Sequence, residues 1–258
     1  MSRPGPAKGT LVLVPNTLDL GAEAGDLQDV LPLGVLRRAA ALKHWVAENA
    51  KTTRALLKRV DAVVPLAQPL QTLSIVEMPR PRKGEPQAAP GPDPWRALLA
   101  PALAGEDVGL ISEAGLPAVA DPGAGLVACA HRLGVPVLPL VGPSSLMLAL
   151  AASGLNGQSF AFVGYLPVDA GARTARLREL EALSRRLGQT QLVIETPYRN
   201  GALLAAMTAT LAPATMLSVS CGLTLRDGWT RSRSVAQWRE APLAMPDRLP
   251  AVFALLGC

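Results

Sequence analysis

The run Val108-Gly109-Leu110-Ile111 passes directly into Ser112-Glu113-Ala114-Gly115-Leu116-Pro117, and Asp121-Pro122-Gly123 follows before the next apolar segment. A short apolar run bounded by such turn residues reads as a strand buried on both faces, the kind found inside a parallel sheet. A strand of that kind needs a loop and a covering helix after it, so this one segment directs the chain to an α/β fold. In open parallel sheets, ligands sit beyond the carboxyl ends of the strands, where loops feed helices. The turn stands at that place. Its small residues let backbone N–H and C=O groups approach a ligand, and Glu113 or Asp121 offers a carboxylate to a positive group. Taken alone, the same residues equally make two tight turns and nothing more.

The alternation of strand and helix continues in both directions. Residues 11–14 read as a strand that ends at Pro15-Asn16, and residues 31–60 as helical material interrupted near 49–53, with Thr52 or Thr53 capping the second piece. Residues 79–94 hold six prolines, two glycines and the basic trio Arg80, Arg82 and Lys83, the composition of a long surface loop. A helix restarts over 95–103. Strand 108–111, helix 125–133 and strand 135–140 then form a βαβ crossover. Val141-Gly142-Pro143-Ser144-Ser145 joins a strand end to a small-residue helix over 144–152. There, backbone amides and hydroxyls hold a polar ligand or simply cap the helix. Strands over 160–163, 191–194, 216–219 and 251–255 and helices over 173–187 and 201–211 complete the pattern. The expected division is an α/β domain with a parallel sheet over 1–141 and a second α/β domain over 142–258.

Composition narrows the function. Apolar residues are 49% and charged residues 17%, while aromatics are only 3%, so the core is built from Ala, Leu and Val. The two histidines, His44 and His131, exclude a three-histidine metal site and argue against a histidine-based triad; no metal is expected. Cys129, Cys221 and Cys258 have neither a disulfide nor a zinc spacing, which fits a reducing cytosol. No apolar stretch reaches the ~20 residues that span a bilayer, and the first residues are too polar for a signal peptide, so a soluble cytoplasmic protein is expected. Neither a dinucleotide fingerprint nor a Gly-Lys-Ser/Thr phosphate loop is present. The net charge of +5 tilts the expected partner slightly toward an anion such as RNA.

Several segments in one order carry a family resemblance. They are Gly9-Thr10-Leu11-Val12-Leu13-Val14-Pro15, Leu110 through Pro117 with Ala120-Asp121-Pro122-Gly123, Gly142-Pro143-Ser144-Ser145, Ala152-Ser153-Gly154-Leu155, and Gly164-Tyr165-Leu166-Pro167. Together they resemble the tetrapyrrole methylase superfamily, the class III S-adenosylmethionine methyltransferases. The nearest branch is that of the ribosomal RNA small-subunit methyltransferase I, which 2′-O-methylates a cytidine. The resemblance implies two α/β domains with the cofactor, S-adenosylmethionine, in the cleft between them, in a cytoplasmic homodimer acting on ribosomal RNA or the small ribosomal subunit. Carried over by position, the cofactor contacts are Pro15, Asn16, Ser112, Glu113, Ala114, Gly115, Val119, Ser144, Ser145, Glu195, Thr196, Leu223, Pro250 and Ala251.

The departures fall mostly on the acceptor side. The family's Pro-Ile-Gly-Asn-Leu loop is Asn16-Thr17-Leu18-Asp19-Leu20 here, and its Ala-Glu-Asp-Thr-Arg segment survives as Ala47-Glu48-Asn49 with Thr53-Arg54 displaced. Glu113 replaces an aspartate, and Ser220-Cys221-Gly222-Leu223-Thr224-Leu225 lacks the acid and base of Arg-Glu-Leu-Thr-Lys. Candidates for a base are Glu48, Glu195 and Tyr198. Arg173, Arg176, Arg178, Arg185 and Arg186 form either a phosphate-tracking or a solvated helix face, and Arg226, Arg231 and Arg233 are further phosphate candidates. Two other readings stay open: a methyltransferase of a tetrapyrrole-like or other small anion, and a non-catalytic homologue that binds S-adenosylmethionine.

Overall fold

The structure, a computed structural model, describes residues 7–19, 25–79 and 93–258. It divides into two compact units, Met1–Pro143 and Ser144–Cys258. The basic trio Arg80, Arg82 and Lys83, Leu20 of the first loop and the residues before Ala7 lie outside the described residues.

The first unit contains β1 (Leu11–Leu13), α1 (Leu33–Ala41), β2 (His44–Ala47), α2 (Ala50–Asp61), β3 (Ser74–Glu77), α3 (Pro94–Leu98), α4 (Ala100–Leu103), β4 (Val108–Ile111), α5 (Ala124–Arg132) and β5 (Val137–Pro139). The strands form a sheet in the order β3-β2-β4-β1-β5, every pair parallel. Successive strand residues point to opposite faces, and both faces here are apolar. Val12, Trp45, Ala47 and Ile111 pack with α1 and α2 through Leu36, Ala39, Leu56, Leu57 and Val60. Leu11, Val46, Val108 and Leu110 pack with Leu99, Ala102, Leu126 and Cys129 from α4, α5 and the junction before α4. Covering on both faces explains why these strands read as unbroken apolar runs.

Two expectations are corrected here. Residues 31–60 are not a twice-started helix: β2 lies between α1 and α2. Leu42 and Val46 have helical spacing, but a four-residue strand buried on both faces carries no periodicity that separates it from a helix. The cap of α2 is Asn49 rather than a threonine. Its Oδ1 accepts from the N–H groups of Lys51 at 2.9 Å and Thr52 at 3.3 Å, while the Thr52 and Thr53 hydroxyls donate back to Asn49 O.

The second unit contains α6 (Ser145–Ser153), β6 (Phe160–Tyr165), α7 (Ala170–Leu187), β7 (Thr190–Glu195), α8 (Asn200–Thr210), β8 (Met216–Cys221), β9 (Trp229–Ser234), α9 (Val235–Glu240) and β10 (Ala251–Leu256). Its sheet has the order β6-β7-β10-β8-β9. Only β6 and β7 run parallel; the other pairs are antiparallel. Val193, Phe253 and Leu255 face the core that contains Leu177, Leu180, Leu203, Met207 and Trp238. Leu192, Val252 and Ala254 face α6 through Leu146, Ala149 and Leu150. β9 and α9 were not expected from the sequence. Trp-Thr-Arg-Ser-Arg-Ser is polar because β9 is an exposed edge, where charge protects against unwanted pairing. No helix among the described residues is long and apolar enough to cross a membrane.

Gly109 shows how tightly the first sheet is filled. A Cβ there would lie 2.7 Å from Trp45 Cε3 and 3.0 Å from Leu42 Cδ1, and both side chains are buried. Gly109→Ala is expected to cost about 1–3 kcal/mol by overpacking, read as a lower urea midpoint with an unchanged slope.

Candidate functional site

β1 and β2 both pair with β4 in parallel, so the loops that follow these three strands leave the same end of the first sheet. The loop after β1 is bonded to the turn after β4. Asn16 N–H donates to Gly115 O at 2.9 Å, and Gly115 N–H donates to Thr17 O at 3.3 Å. The buried Asn16 side chain reinforces this bridge: Nδ2 donates to Ser112 O at 3.1 Å and Glu113 O at 2.9 Å, and Oδ1 accepts from Thr17 N–H at 2.8 Å. Those bonds satisfy backbone oxygens that would otherwise be orphaned beyond the sheet.

Gly115 has φ +66°, and a Cβ on it would lie 3.2 Å from Leu18 Cδ2 and 3.4 Å from Pro143 O. Glycine takes that left-handed conformation without the cost a Cβ carries, and a Cβ would press on the Leu18 side chain. Ala118 and Ala120 also have positive φ, 65° and 64°, and Val119 between them is 44% exposed. The Ser112 hydroxyl is buried and has no hydrogen-bond partner among the described residues. Pro15 is buried beside this turn, and Ala114 is half-buried within it.

Three carboxylates gather at this end of the sheet. Glu48 follows β2; its N–H donates to Ile111 O at 3.1 Å, and its Oε2 accepts from Glu113 N–H at 3.0 Å. Asp121 lies half-buried in the loop between the turn and α5. Burial, then the charges of Glu48 and Glu113, push the Asp121 carboxyl up to about 7. The link from Glu48 to the turn was missed in the sequence. The signal was there in Asn49: as a helix cap it fixes Glu48 at the junction of β2 and α2.

In the second unit the strand register gathers another set. Ala251 lies opposite Glu195 on one side and Cys221 on the other, and Cys221 lies opposite Trp229. Gly222 N–H donates to Pro250 O at 2.9 Å. Glu195, Thr196, Leu223, Pro250 and Ala251, far apart in sequence, therefore occupy one end of the second sheet. Ser144 is the cap residue of α6 but makes no side-chain capping bond, so its hydroxyl is not used on its own helix. Ser145 is the first residue of that helix.

The base candidates differ in their engagements. Glu195 Oε1 accepts from Arg199 Nη2 at 2.6 Å, Arg199 Nε at 3.1 Å and Thr196 N–H at 2.7 Å, so taking a substrate proton would disrupt an ion pair. Glu48 holds the turn. Tyr198 is 72% exposed, with the Arg199 guanidinium 5.8 Å from its ring centroid and no hydrogen bond to its hydroxyl among the described residues. Of the arginines on α7, Arg173 donates to Val168 O, Arg176 pairs with Glu179 and Arg185 donates to Cys258 O. Arg231, exposed on β9, lies over the Trp229 ring at 5.2 Å, and Arg233 lies over Trp238 at 5.5 Å.

Solved structures identify the fold. The methyltransferase CobJ matches with a TM-score of 0.58 and 15% identity, over 97% of this chain and 100% of its own. A uroporphyrin-III C-methyltransferase from Thermus thermophilus, solved with S-adenosyl homocysteine, matches with a TM-score of 0.52 and 21% identity, over 96% and 97%. The fold is that of the tetrapyrrole methylases.

By sequence, the chain is related to proteins named ribosomal RNA small subunit methyltransferase I. The protein of that name from Mesorhizobium japonicum is 43% identical over 114 residues, 44% of this chain and 37% of its own length. The one from Halalkalibacterium halodurans is 30% identical over 192 residues, 74% of this chain and 57% of its own. The chain thus spans between about a third and somewhat over half of the relatives it matches. No family model matches. The resemblance carried by the motifs is shown by these relatives.

The raised Asp121 carboxyl predicts a pH-dependent stability. Its folded value, about 7, lies above the ordinary 3.8, so the folded chain binds this proton more tightly than the unfolded chain does. That contribution is fully present below the ordinary value and is lost as pH rises through about 7. Asp121→Asn should therefore melt higher than wild type, by a margin that grows from about pH 4 to about pH 7 and is constant above. Thermal melts across that range check it; a margin independent of pH contradicts it.

Proposed function

We propose that this chain is an S-adenosylmethionine-dependent methyltransferase acting on ribosomal RNA at a ribose 2′-hydroxyl. The observation that carries the reading is the turn 112–117, preformed by the Asn16–Gly115 bridge, in a chain whose sequence relatives are named for ribosomal RNA methylation. The residues present fit the donor. Gly115 leaves the turn free of a side chain, the Ser112 hydroxyl has an unused hydrogen-bonding capacity, and the carboxylates beside the turn match positive groups.

S-adenosylmethionine supplies a methyl group on a positively charged sulfur that is already a good leaving group. The task left to the protein is positioning, which by itself lowers a barrier substantially. In this reading Pro15, Asn16, Ser112, Glu113, Ala114, Gly115 and Val119 hold the donor from the first unit. Ser144, Ser145, Glu195, Thr196, Leu223, Pro250 and Ala251 are the further contacts that the resemblance assigns. Among the base candidates, Tyr198 is the one whose side chain makes no hydrogen bond among the described residues. The altered first loop does not count against binding, since Asn16 and Thr17 make the bridge to the turn. As an enzyme of ribosomal RNA the protein would work in the cytoplasm, as the homodimer that the resemblance implies.

Calorimetric titration with S-adenosylmethionine tests the donor. Wild type is expected to bind, and Gly115→Val to lose roughly tenfold or more in affinity, because a β-branched residue at positive φ distorts the turn. Binding unaffected by Gly115→Val would displace the proposed site, and no binding by wild type would remove the enzyme reading.

The acceptor is tested by salt. Methyl transfer to small ribosomal subunits should bring RNA binding that weakens steeply with salt, and Arg231→Gln should reduce the slope by about one. A shallow slope together with transfer to a small carboxylate-rich molecule would favour the tetrapyrrole-like acceptor instead.

A further inference from the structure

The loop after β1 is held from a second direction, by α2. Arg59, in the last turn of that helix, donates from Nη1 to Asp19 Oδ2 at 3.1 Å and from Nη2 to Gly25 O at 3.3 Å. The other oxygen of Asp19, Oδ1, accepts from the Thr17 hydroxyl at 2.7 Å. Thr17 in turn closes the bridge: its C=O accepts from Gly115 N–H at 3.3 Å, and its N–H donates to Asn16 Oδ1 at 2.8 Å. A continuous line of bonds thus runs from α2 through Asp19 and Thr17 to the turn 112–117. The beginning of the same helix reaches the turn as well, since Glu48, the residue before the Asn49 cap, accepts from Glu113 N–H at 3.0 Å.

This is not an ordinary surface ion pair. The side chains of Arg59 and Asp19 are only 24% and 12% exposed, and Thr17 is buried. An exposed pair is screened by salt and holds little, whereas removing one partner of a mostly buried pair leaves the other charge uncompensated. The helix itself is already anchored to the first sheet by Leu56, Leu57 and Val60, so what Arg59 adds is a hold on the loop. Leu18 lies between the two tethered residues. It is buried, with Cδ2 3.2 Å from the place of a Gly115 Cβ. Fixing Thr17 and Asp19 therefore also fixes the side chain that lies against the turn.

We propose that Asp19 and Arg59 are positioning residues for the methyl donor, acting through Thr17 and Asn16 on the turn 112–117. This inference rests on the methyl-donor reading of that turn. Ordering a loop costs conformational entropy, and a site that has met this cost before its ligand arrives binds more tightly. The ion pair orders the loop in the folded chain, so the donor meets a turn already shaped. The loop that departs from the family's Pro-Ile-Gly-Asn-Leu thereby supplies its own closure, with Thr17 and Asp19 as the links.

The experiment is calorimetric titration of the full chain with S-adenosylmethionine on wild type, Asp19→Ala, Arg59→Gln and the double variant, beside hydrogen exchange at the Gly115 amide. Each single variant should weaken donor binding roughly three- to tenfold, and the double variant no more than either, because both break the same link. Arg59→Lys, which keeps the charge, should recover part of the loss. Exchange at Gly115 should quicken in both single variants, since the bridge opens more often. Arg38→Gln separates positioning from stability: it breaks the ion pair to Asp107, just before β4 and so at the other end of the sheet, and should change neither donor affinity nor Gly115 exchange. Wild-type affinity or unchanged Gly115 exchange in the single variants, additive losses in the double variant, or an equal loss in Arg38→Gln overturns the positioning role and leaves the methyl-donor reading standing. No donor binding by wild type overturns both.

Discussion

The bridge between Asn16 and Gly115 is the constraint on which the first unit's candidate site depends. Two adjacent parallel strands, β1 and β4, end side by side, and the loops that follow them have no further sheet partner. One backbone pair and one buried asparagine side chain close that gap, with Nδ2 reaching two consecutive carbonyls of the turn. Without it, Ser112 O and Glu113 O would lack those partners, and a buried unsatisfied oxygen costs about 1–3 kcal/mol. Beside that closure stand the positive φ of Gly115 and Glu48, whose Oε2 accepts from the turn at Glu113 N–H.

In the proposed reaction a preformed turn would matter because methyl transfer demands geometry more than chemistry. The leaving group is supplied ready-made, so the protein gains most from holding donor and acceptor without reorganisation. Backbone amides and carbonyls held by a bridge provide that stiffness. The carboxylates beside the turn add electrostatics: Glu48 is tied to the turn by a hydrogen bond, and burial together with the charges of Glu48 and Glu113 raises the Asp121 carboxyl.

The second unit reaches a comparable result by another route. Its sheet is mixed, and antiparallel pairing brings the beginning of β10 beside the ends of β7 and β8. Residues far apart in sequence thereby meet in one row, with Ala251 between Glu195 and Cys221. The polar edge strand β9 continues the row to Trp229 and leaves Arg231 exposed over that ring. Such an edge combines a flat aromatic with a cation.

The apolar runs 11–14 and 108–111, the Gly- and Pro-bounded turn after the second, and the helix 125–133 identified an α/β sheet and one of its loop ends before any coordinates. Local composition was enough, because burial on both faces and a turn at the carboxyl end are written in consecutive residues. The sequence reads β2 as helix, since a four-residue strand with three buried apolar residues in a row has no period of its own. β9 and α9 were missed because an exposed edge strand is polar and resembles a loop. Pairing decides what local pattern does not: that Asn16 grips the turn and that Glu48 meets it. Those relations join residues 65 to 97 positions apart, and only the sheet register, a property of the folded chain, brings them within hydrogen-bonding distance.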